Sequence, residues 1–374
     1  MIIISLLIPV TLAGFFFYIE RDWKFSLMIG IPGILVVLST RELTRLSGSW
    51  TTEYLGSHVK SVTHYDDWDE WVVEYRTRTD SKGKTETYTV EYRQYHPEEW
   101  EIETEPIGMG WSSSISEEEF EYYRERFGGP GEFIDMHRHY YRKDGDAQKY
   151  SWPGTKETAE TVTFSETYKN VAQNPRAYSI FGFSEVQDKR GLYEYPKIKK
   201  RDQDPVLGWR DPELSRELRW LNGFYGPKYQ IRVFFLVWKG EGPEISERQK
   251  DLWKGGNKNE FVVCLGLDKK GNKVLWCNPF SWSDEPVLEV ETRAWFLKNG
   301  MKPKMYVQWL EKEIPQVWKR KEFKDFDYIV LPVPEWGEWL ALFLGFLVSG
   351  CIIITIQEKR SRRLNVFYGW FPYI

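Results

Sequence analysis

The sequence predicts an α+β, β-rich protein held to a membrane by transmembrane helices at both ends, with a large two-part water-soluble domain between them. Three observations predict this class. Long apolar runs with little or no charge lie near each end. The roughly 290 residues between them open with runs that alternate aromatic and polar side chains, the period of strands. Further along, apolar runs of strand length alternate with amphipathic stretches of helical period. Formal charge of -4 and mean hydropathy of -0.53 describe an ordinary water-soluble chain, so the membrane signal emerges only segment by segment. The divisions expected are a transmembrane hairpin over 1–45, a β-rich part over 46–200, an α/β part over 201–335, a last span over 336–357 and a short basic-aromatic tail over 358–374.

Ile2 to Ile19 carries no charge over about 18 residues, near the minimum for crossing a hydrocarbon core of about 30 Å. It has no basic residue before it and no small-residue cleavage site, so it is expected to be retained. Phe25 to Thr40 follows after a short charged turn at Glu20 to Lys24, and the two runs read as a helical hairpin with Pro9 and Pro32 inside them. Trp336 to Ile356 is the strongest apolar segment despite Glu338 near its start. Three spans place the Glu20 to Lys24 turn and the tail on one side. That side carries Arg21, Lys24, Lys359, Arg360, Arg362 and Arg363 against Arg41 and Arg45 near the other, so the positive-inside rule puts the large domain outside the cytoplasm. The expected location is a multi-pass membrane protein with its domain extracytoplasmic.

In the first part, Glu70 to Tyr95 reads as a hairpin turning at Asp80 to Gly83. Centring it on Ser81 and Lys82 pairs Tyr75 with Tyr88, Val73 with Val90 and Trp71 with Tyr92 on one aromatic face. A helix is expected over Glu117 to Phe127, because Ser116 and Glu119 form a capping box and Gly128 ends it. Gly128 to Gly131 lacks the Lys-Ser/Thr ending of a phosphate-binding loop. In Phe133 to Asp146, a strand would project Asp135, His137 and His139 from one face, two imidazoles and a carboxylate able to hold a divalent metal, with Asp144 and Asp146 as further oxygen donors. The same Asp-Gly pair is equally a hairpin turn, and no other cofactor is expected. Lys197, Lys199, Lys200 and Arg201 form a basic cluster beside Asp202, Asp204 and Asp211, a solvated link between the two parts and no nucleic-acid site.

The second part begins with an apolar strand over Gln230 to Trp238 and a short helix over Ser246 to Lys254. A hairpin of Phe261 to Leu267 with Lys273 to Asn278 follows, turning at Asp268 to Asn272. Centred on Lys270 and Gly271, that hairpin sets Cys264 directly opposite Cys277, within the Cα separation that a disulfide tolerates. The alternative is two small buried strand residues. Pro286 to Phe296 reads as a further strand, Pro303 to Lys321 as a helix interrupted near Pro315, and Phe326 to Leu331 as a last strand before the membrane. Trp309, Trp318, Trp336 and Trp339 lie near the last span, as an interfacial belt would.

This second part, about residues 228–331, resembles the TPM domain of membrane-anchored proteins found outside the bacterial cytoplasm or in the thylakoid lumen. The likeness is carried by the strand Ile231 to Trp238, the helix ending in Leu252 and Trp253, the loop Gly255 to Asn259, the strand Phe261 to Leu265 and the hairpin after it. Glu260 stands where that family usually has Gly. Members are linked to assembly or repair of membrane complexes and some to phosphatase activity, which the resemblance implies as context without fixing any active-site residue.

No Gly-x-Ser-x-Gly elbow, His-Glu-x-x-His or Walker sequence occurs. Aromatic residues at 17%, including 19 Trp, exceed what core packing asks, so some are expected at the surface as contact groups. The function expected is a membrane-tethered binding or assembly module, whose partners are the lipid bilayer and a protein or a second copy of the chain. The alternatives are a membrane-bound hydrolase or metal enzyme using the His137/His139 region, and a structural component of a viral or envelope complex.

Overall fold

The computed structural model describes residues 2–21, 23–79, 81–105, 111–136, 146–197, 204–283, 286–326 and 328–368. In chain order the first half holds α1 (Ile2–Glu20), α2 (Trp23–Arg45), β1 (Trp50–Tyr65), β2 (Trp68–Thr79), β3 (Thr85–His96), β4 (Glu99–Glu105) and β5 (Trp111–Ser114). Then come α3 (Glu117–Phe127), β6 (Glu132–Ile134), β7 (Ala147–Ser151), β8 (Thr161–Lys169) and β9 (Val206–Leu207). The second half holds α4 (Pro212–Phe224), α5 (Gly226–Tyr229), β10 (Arg232–Lys239), α6 (Glu244–Trp253), β11 (Glu260–Leu267), β12 (Val274–Cys277), β13 (Phe280–Ser281), α7 (Val287–Asn299), α8 (Pro303–Val317) and α9 (Glu335–Tyr368). The class is α+β, with 42% helix outweighing 28% strand. The chain forms two compact units: Met1–Thr51 with Tyr168–Ser184 and Glu322–Ile374, and Thr52–Thr167 with Glu185–Lys321. Most of both expected parts, 46–200 and 201–335, lies in the second unit, while 46–51, 168–184 and 322–335 lie in the first.

In the first unit α1, α2 and α9 pack side by side through small residues. A Cβ on Gly33 of α2 would lie 2.7 Å from Pro9 of α1, and one on Gly345 of α9 would lie 2.6 Å from Val37. Gly30 meets Ala13, and Gly337 meets Thr44, so α2 runs antiparallel to both of the others. Such close approach replaces a hydrophobic driving force where the surroundings are as apolar as the side chains. Charge near the ends of the apolar stretches is matched: Arg41 of α2 pairs with Glu338 of α9, both buried. Trp23–Arg45 and Glu335–Lys359 are long and apolar enough to cross a membrane, and Leu7–Ile19 is a shorter apolar helix. Arg176, in the short turns after β8, donates to the Arg45 carbonyl at 3.0 Å and the Ser47 carbonyl at 2.5 Å, a cation on the carbonyl end of α2.

In the second unit one sheet has the order β5-β4-β1-β7-β6, with β8 also on β1. α3 packs on it through Phe120, Tyr123 and Phe127 against Val59, Val62 and Tyr150. The expected capping box forms, with Glu119 N–H donating to Ser116 Oγ at 3.3 Å. β2 and β3 pair only with each other among the described strands. Their register joins Tyr75 to Thr89, Val73 to Glu91 and Trp71 to Arg93, one residue from the expected alignment, because Thr79 pairs with Thr85 across a five-residue turn. Side chains alternate faces, so that single-residue change mixes aromatic and polar groups on both faces.

The other sheet has the order β12-β11-β10-β9, parallel from β11 to β9, with β12 and β13 antiparallel on β11. α4, α7 and α8 cover one face over Val233, Phe235, Phe261 and Val263. α6 covers the other over Phe234, Leu236, Val262 and Cys264. Four expectations are corrected here. Val287–Asn299 is a helix rather than a strand, because Leu288, Thr292 and Phe296, four residues apart, all meet the core. Residues 328–331 form no strand; a single 3₁₀ turn, Phe323–Phe326, precedes them. Trp318 is buried and Trp309 packs partly buried against the same core, so neither belongs to a surface belt, whereas Trp336 and Trp339 are exposed. Finally, Cys264 and Cys277 are free thiols. Leu267 pairs with Val274 as the turn dictates, but Leu275 bulges out, so Cys277 faces Leu265 and the two thiols enter cores on opposite faces of the sheet. Burial raises the pKa of both, Cys277 to about 12.

Candidate functional site

Of the metal candidates, Asp135 is exposed just after β6 ends at Ile134, while His137, His139 and Asp144 lie outside the described residues. Asp146 precedes β7 and accepts no hydrogen bond at Oδ1. Among the described residues no three His, Cys, Asp or Glu side chains converge as a metal would require.

Two polar assemblies that the sequence did not single out sit in the second unit. The first is a buried knot at the N-terminal ends of β10 and β11. Arg232 pairs in register with Glu260, and both are buried. Glu260 accepts from Tyr195 Oη, from the Asn257 amide N–H at 2.8 Å and from Asn257 Nδ2 at 3.1 Å. Burial raises the Glu260 carboxyl above its ordinary range and raises the Tyr195 phenol well above its own. Buried Glu53 pairs with the partly buried Arg320, and Asn259 donates to the Tyr54 carbonyl at 2.7 Å. The knot ties β10 and β11 to β1, because a buried polar group costs free energy unless it is bonded.

The second assembly is a cleft of about 390 Å³ lined by Tyr122, Arg126, Lys156, Ala159, Glu160, Thr161, Arg216, Arg219 and Trp220. It exists because two helices each turn one face towards it. Tyr122 and Arg126 are four residues apart on α3, and Arg216, Arg219 and Trp220 are three and four apart on α4. α4 is held in place by Asp211, whose side chain accepts from the Glu213 and Leu214 amides, and by Leu214, Leu218 and Leu221 in the core. Its far end is fixed by Asn222, which accepts from Val233 N–H at 2.7 Å and donates to the Val233 carbonyl at 3.0 Å. Behind the cleft, Trp220 stacks on Phe224 at 3.7 Å and His58 stacks on the same ring at 3.8 Å. Burial lowers the His58 pKa, against the raising effect of its hydrogen bond to the Gly223 backbone.

Four cations and one carboxylate line this cleft. Arg126 donates to Glu160 at 2.9 Å, and Lys156 pairs with Glu217 and lies 3.9 Å from Glu311. Glu213, near Arg216 in space, is engaged by Lys304 at 2.6 Å. Neither Arg216 nor Arg219 forms an ion pair within 4 Å among the described residues, although Arg216 acts at longer range on the Glu213 carboxylate. Arg219 also borders a neighbouring cleft of about 520 Å³, lined by Asp204, Gly208, Trp209, Arg210, Asp211 and Ser215. The signal available in the sequence was Asp211-Pro212 followed by Leu214, Leu218 and Leu221, a capped helix whose other face is basic. No family model, curated protein or solved structure matches this chain.

Proposed function

We propose that this protein is a membrane-tethered binding or assembly module: α1, α2 and α9 span the bilayer and the second unit is presented on the extracytoplasmic side. The observation that carries the reading is the surface of α2 and α9. Leu27, Ile31, Leu35 and Leu38 on one helix, and Leu340, Phe343, Phe346 and Leu347 on the other, are exposed although each helix also packs against its neighbours. Exposed side chains of this kind in contiguous array mark a surface that water does not cover. The buried Arg41–Glu338 pair supports the same reading, since ionisable residues near a membrane are held in pairs. Exposed Trp23, Trp336 and Trp339 suit the headgroup level. The outward orientation rests on the excess of Lys and Arg beside the Glu20 to Lys24 turn and in the tail. The binding role is supported by the β2–β3 ribbon, whose Trp71, Val73, Tyr75 and Tyr95 are exposed on one face. The likeness of residues 228–331 to a domain of membrane-anchored proteins accords with it, and a protein or a second copy of the chain is the partner class.

Alkaline carbonate extraction combined with protease protection tests this, with tags at the C-terminus and in the turn at Gly83. The expected result is retention in the membrane pellet, cleavage at Gly83 from outside sealed cells and a protected C-terminus. Release by carbonate would overturn the membrane reading, and protection of Gly83 with cleavage at the C-terminus would reverse the orientation.

A further inference from the structure

We infer that the cleft between α3 and α4 binds a phosphate dianion, free or as a monoester, through Arg219 and Arg216. The inference names a ligand for the binding role proposed above and rests on that role alone, not on the membrane spans.

The two arginines carry it. A cleft of about 390 Å³ falls in the range of small-ligand sites. Of the four cations that line it, Arg126 and Lys156 are already neutralised by Glu160 and by Glu217 with Glu311. The remaining two, Arg216 and Arg219, form no ion pair within 4 Å among the described residues, and the Glu213 carboxylate on which Arg216 acts at longer range is already engaged by Lys304. Two guanidinium groups outside any close ion pair in one cleft favour an anion, and a phosphate monoester, with about -1.5 to -2 near neutral pH, offers an oxygen to each. Guanidinium is the group whose planar fork fits a phosphate with two parallel hydrogen bonds. Arg219 is held on a helix anchored at both ends, by Asp211 at its start and Asn222 near its close, so its stem is fixed before a ligand arrives. Tyr122 and Trp220 bound the same space and leave room for an organic body on the ester. Glu160 is the one lining carboxylate and sets the limit on affinity, since it opposes any anion that enters.

Isothermal titration of inorganic phosphate into the full chain in a neutral detergent tests the inference. Saturable binding of one phosphate per chain is expected, weakened about tenfold or more in Arg219→Ala, where a charged bidentate contact is lost. Arg216→Ala, at an exposed position where folding is not at stake, is expected to weaken binding severalfold. Glu160→Gln is expected to tighten it, an opposite sign that damage to the fold does not produce. Absence of saturable phosphate binding by the wild-type chain would overturn the inference, as would wild-type affinity in both arginine variants. Repeating the titration in phosphatidylcholine nanodiscs with and without phosphatidic acid distinguishes the sources. Loss of phosphate binding when phosphatidic acid is present assigns a lipid headgroup, and its persistence assigns a soluble phosphate. Failure of the carbonate test with intact phosphate binding separates the membrane reading from this one.

Discussion

Two strand pairs of the second unit, β10 with β11 and β2 with β3, are built from the same stock of valine and aromatic residues and end in opposite circumstances. Arg232–Lys239 and Glu260–Leu267 are buried along almost their whole length, with helices over both faces. Trp68–Thr79 and Thr85–His96 form a ribbon with no third strand among the described residues, and nearly every side chain beyond its base is half-exposed or exposed. The difference lies in pattern. An unbroken run such as Val233 to Trp238 offers both faces to a core, as strands covered on two sides do. In the ribbon the alternating aromatic sides of the two strands fall on opposite faces, so neither face is apolar throughout, and a two-stranded pair in water is marginal by itself. Side-chain contacts brace the ribbon: across the strands Tyr92 Oη donates to Glu74 at 3.0 Å and His96 stacks on Trp68 at 4.1 Å, and along β2 Arg76 donates to Glu74 at 2.8 Å. Free energy is therefore concentrated at β10–β11, and contact surface at β2–β3.

The largest expected effect tests that concentration at the polar knot. Glu260→Ala removes the acceptor of Tyr195 and Asn257 and leaves the buried Arg232 without its neighbouring charge. Breaking a buried pair in this way costs about 3 to 5 kcal/mol. Urea unfolding of the full chain should show that loss in the transition of the second unit; a shift below about 1 kcal/mol would break the comparison. Next in size is Gly266→Ala. Gly266 lies opposite Trp276 in the register, and a Cβ there would occupy the space of the indole. Overpacking of that kind costs about 1 to 3 kcal/mol, and Trp276→Leu in the same chain should restore part of it by making room.

A smaller effect is the pH dependence at His58. The residue is 8% exposed and its pKa lies below 6.5 in the fold, first because burial disfavours the imidazolium. The unfolded chain thus takes up the proton more readily, so the contribution to stability is complete above about pH 6.5 and declines as pH falls through that value towards the folded pKa. The slope is at most about 1.4 kcal/mol per pH unit for one proton. His58→Phe keeps a ring to stack on Phe224 and should flatten the unfolding midpoint between about pH 7 and pH 5; an unchanged slope would assign it to another group.

Much of this architecture was legible wherever a local rule had no competitor. Ser116, Glu119 and Gly128 set both ends of α3 because capping is decided within one turn. The run from Ile231 to Trp238 had no other solution than a buried strand. Legibility stopped where a single residue shifts a register. The bulge at Leu275 sends Cys264 and Cys277 to opposite faces, and the five-residue turn after Thr79 moves Tyr75 from Tyr88 to Thr89. Val287 to Phe296 misled through its β-branched residues, which prefer strands unless tertiary contacts every fourth residue override them. The cleft was invisible for a different reason. Arg126 and Arg219 are brought together only by the packing of α3 and α4 on their sheets, and neither helix face announces the other.

The smallest effect sharpens the comparison from the ribbon side. Trp71 and Tyr75 are 51% and 76% exposed, so truncation there forfeits little burial; it removes the approach of Arg93 to the Trp71 ring, at 5.6 Å. Trp71→Ala with Tyr75→Ala should therefore change stability by no more than about 0.5 kcal/mol, the range of ordinary surface substitutions. Cross-linking in intact membranes, from a photoreactive side chain at Tyr75, should capture a defined neighbour in the parent ribbon and lose it in the double variant. Loss of stability near the Glu260→Ala value would mean that the ribbon rests on a covered face, and its aromatics would then be core rather than contact surface. Unchanged stability with unchanged cross-linking would deny them a binding role. Unchanged stability with lost cross-linking is the expected result, because a side chain that folding leaves in water has its packing free energy still available for a partner.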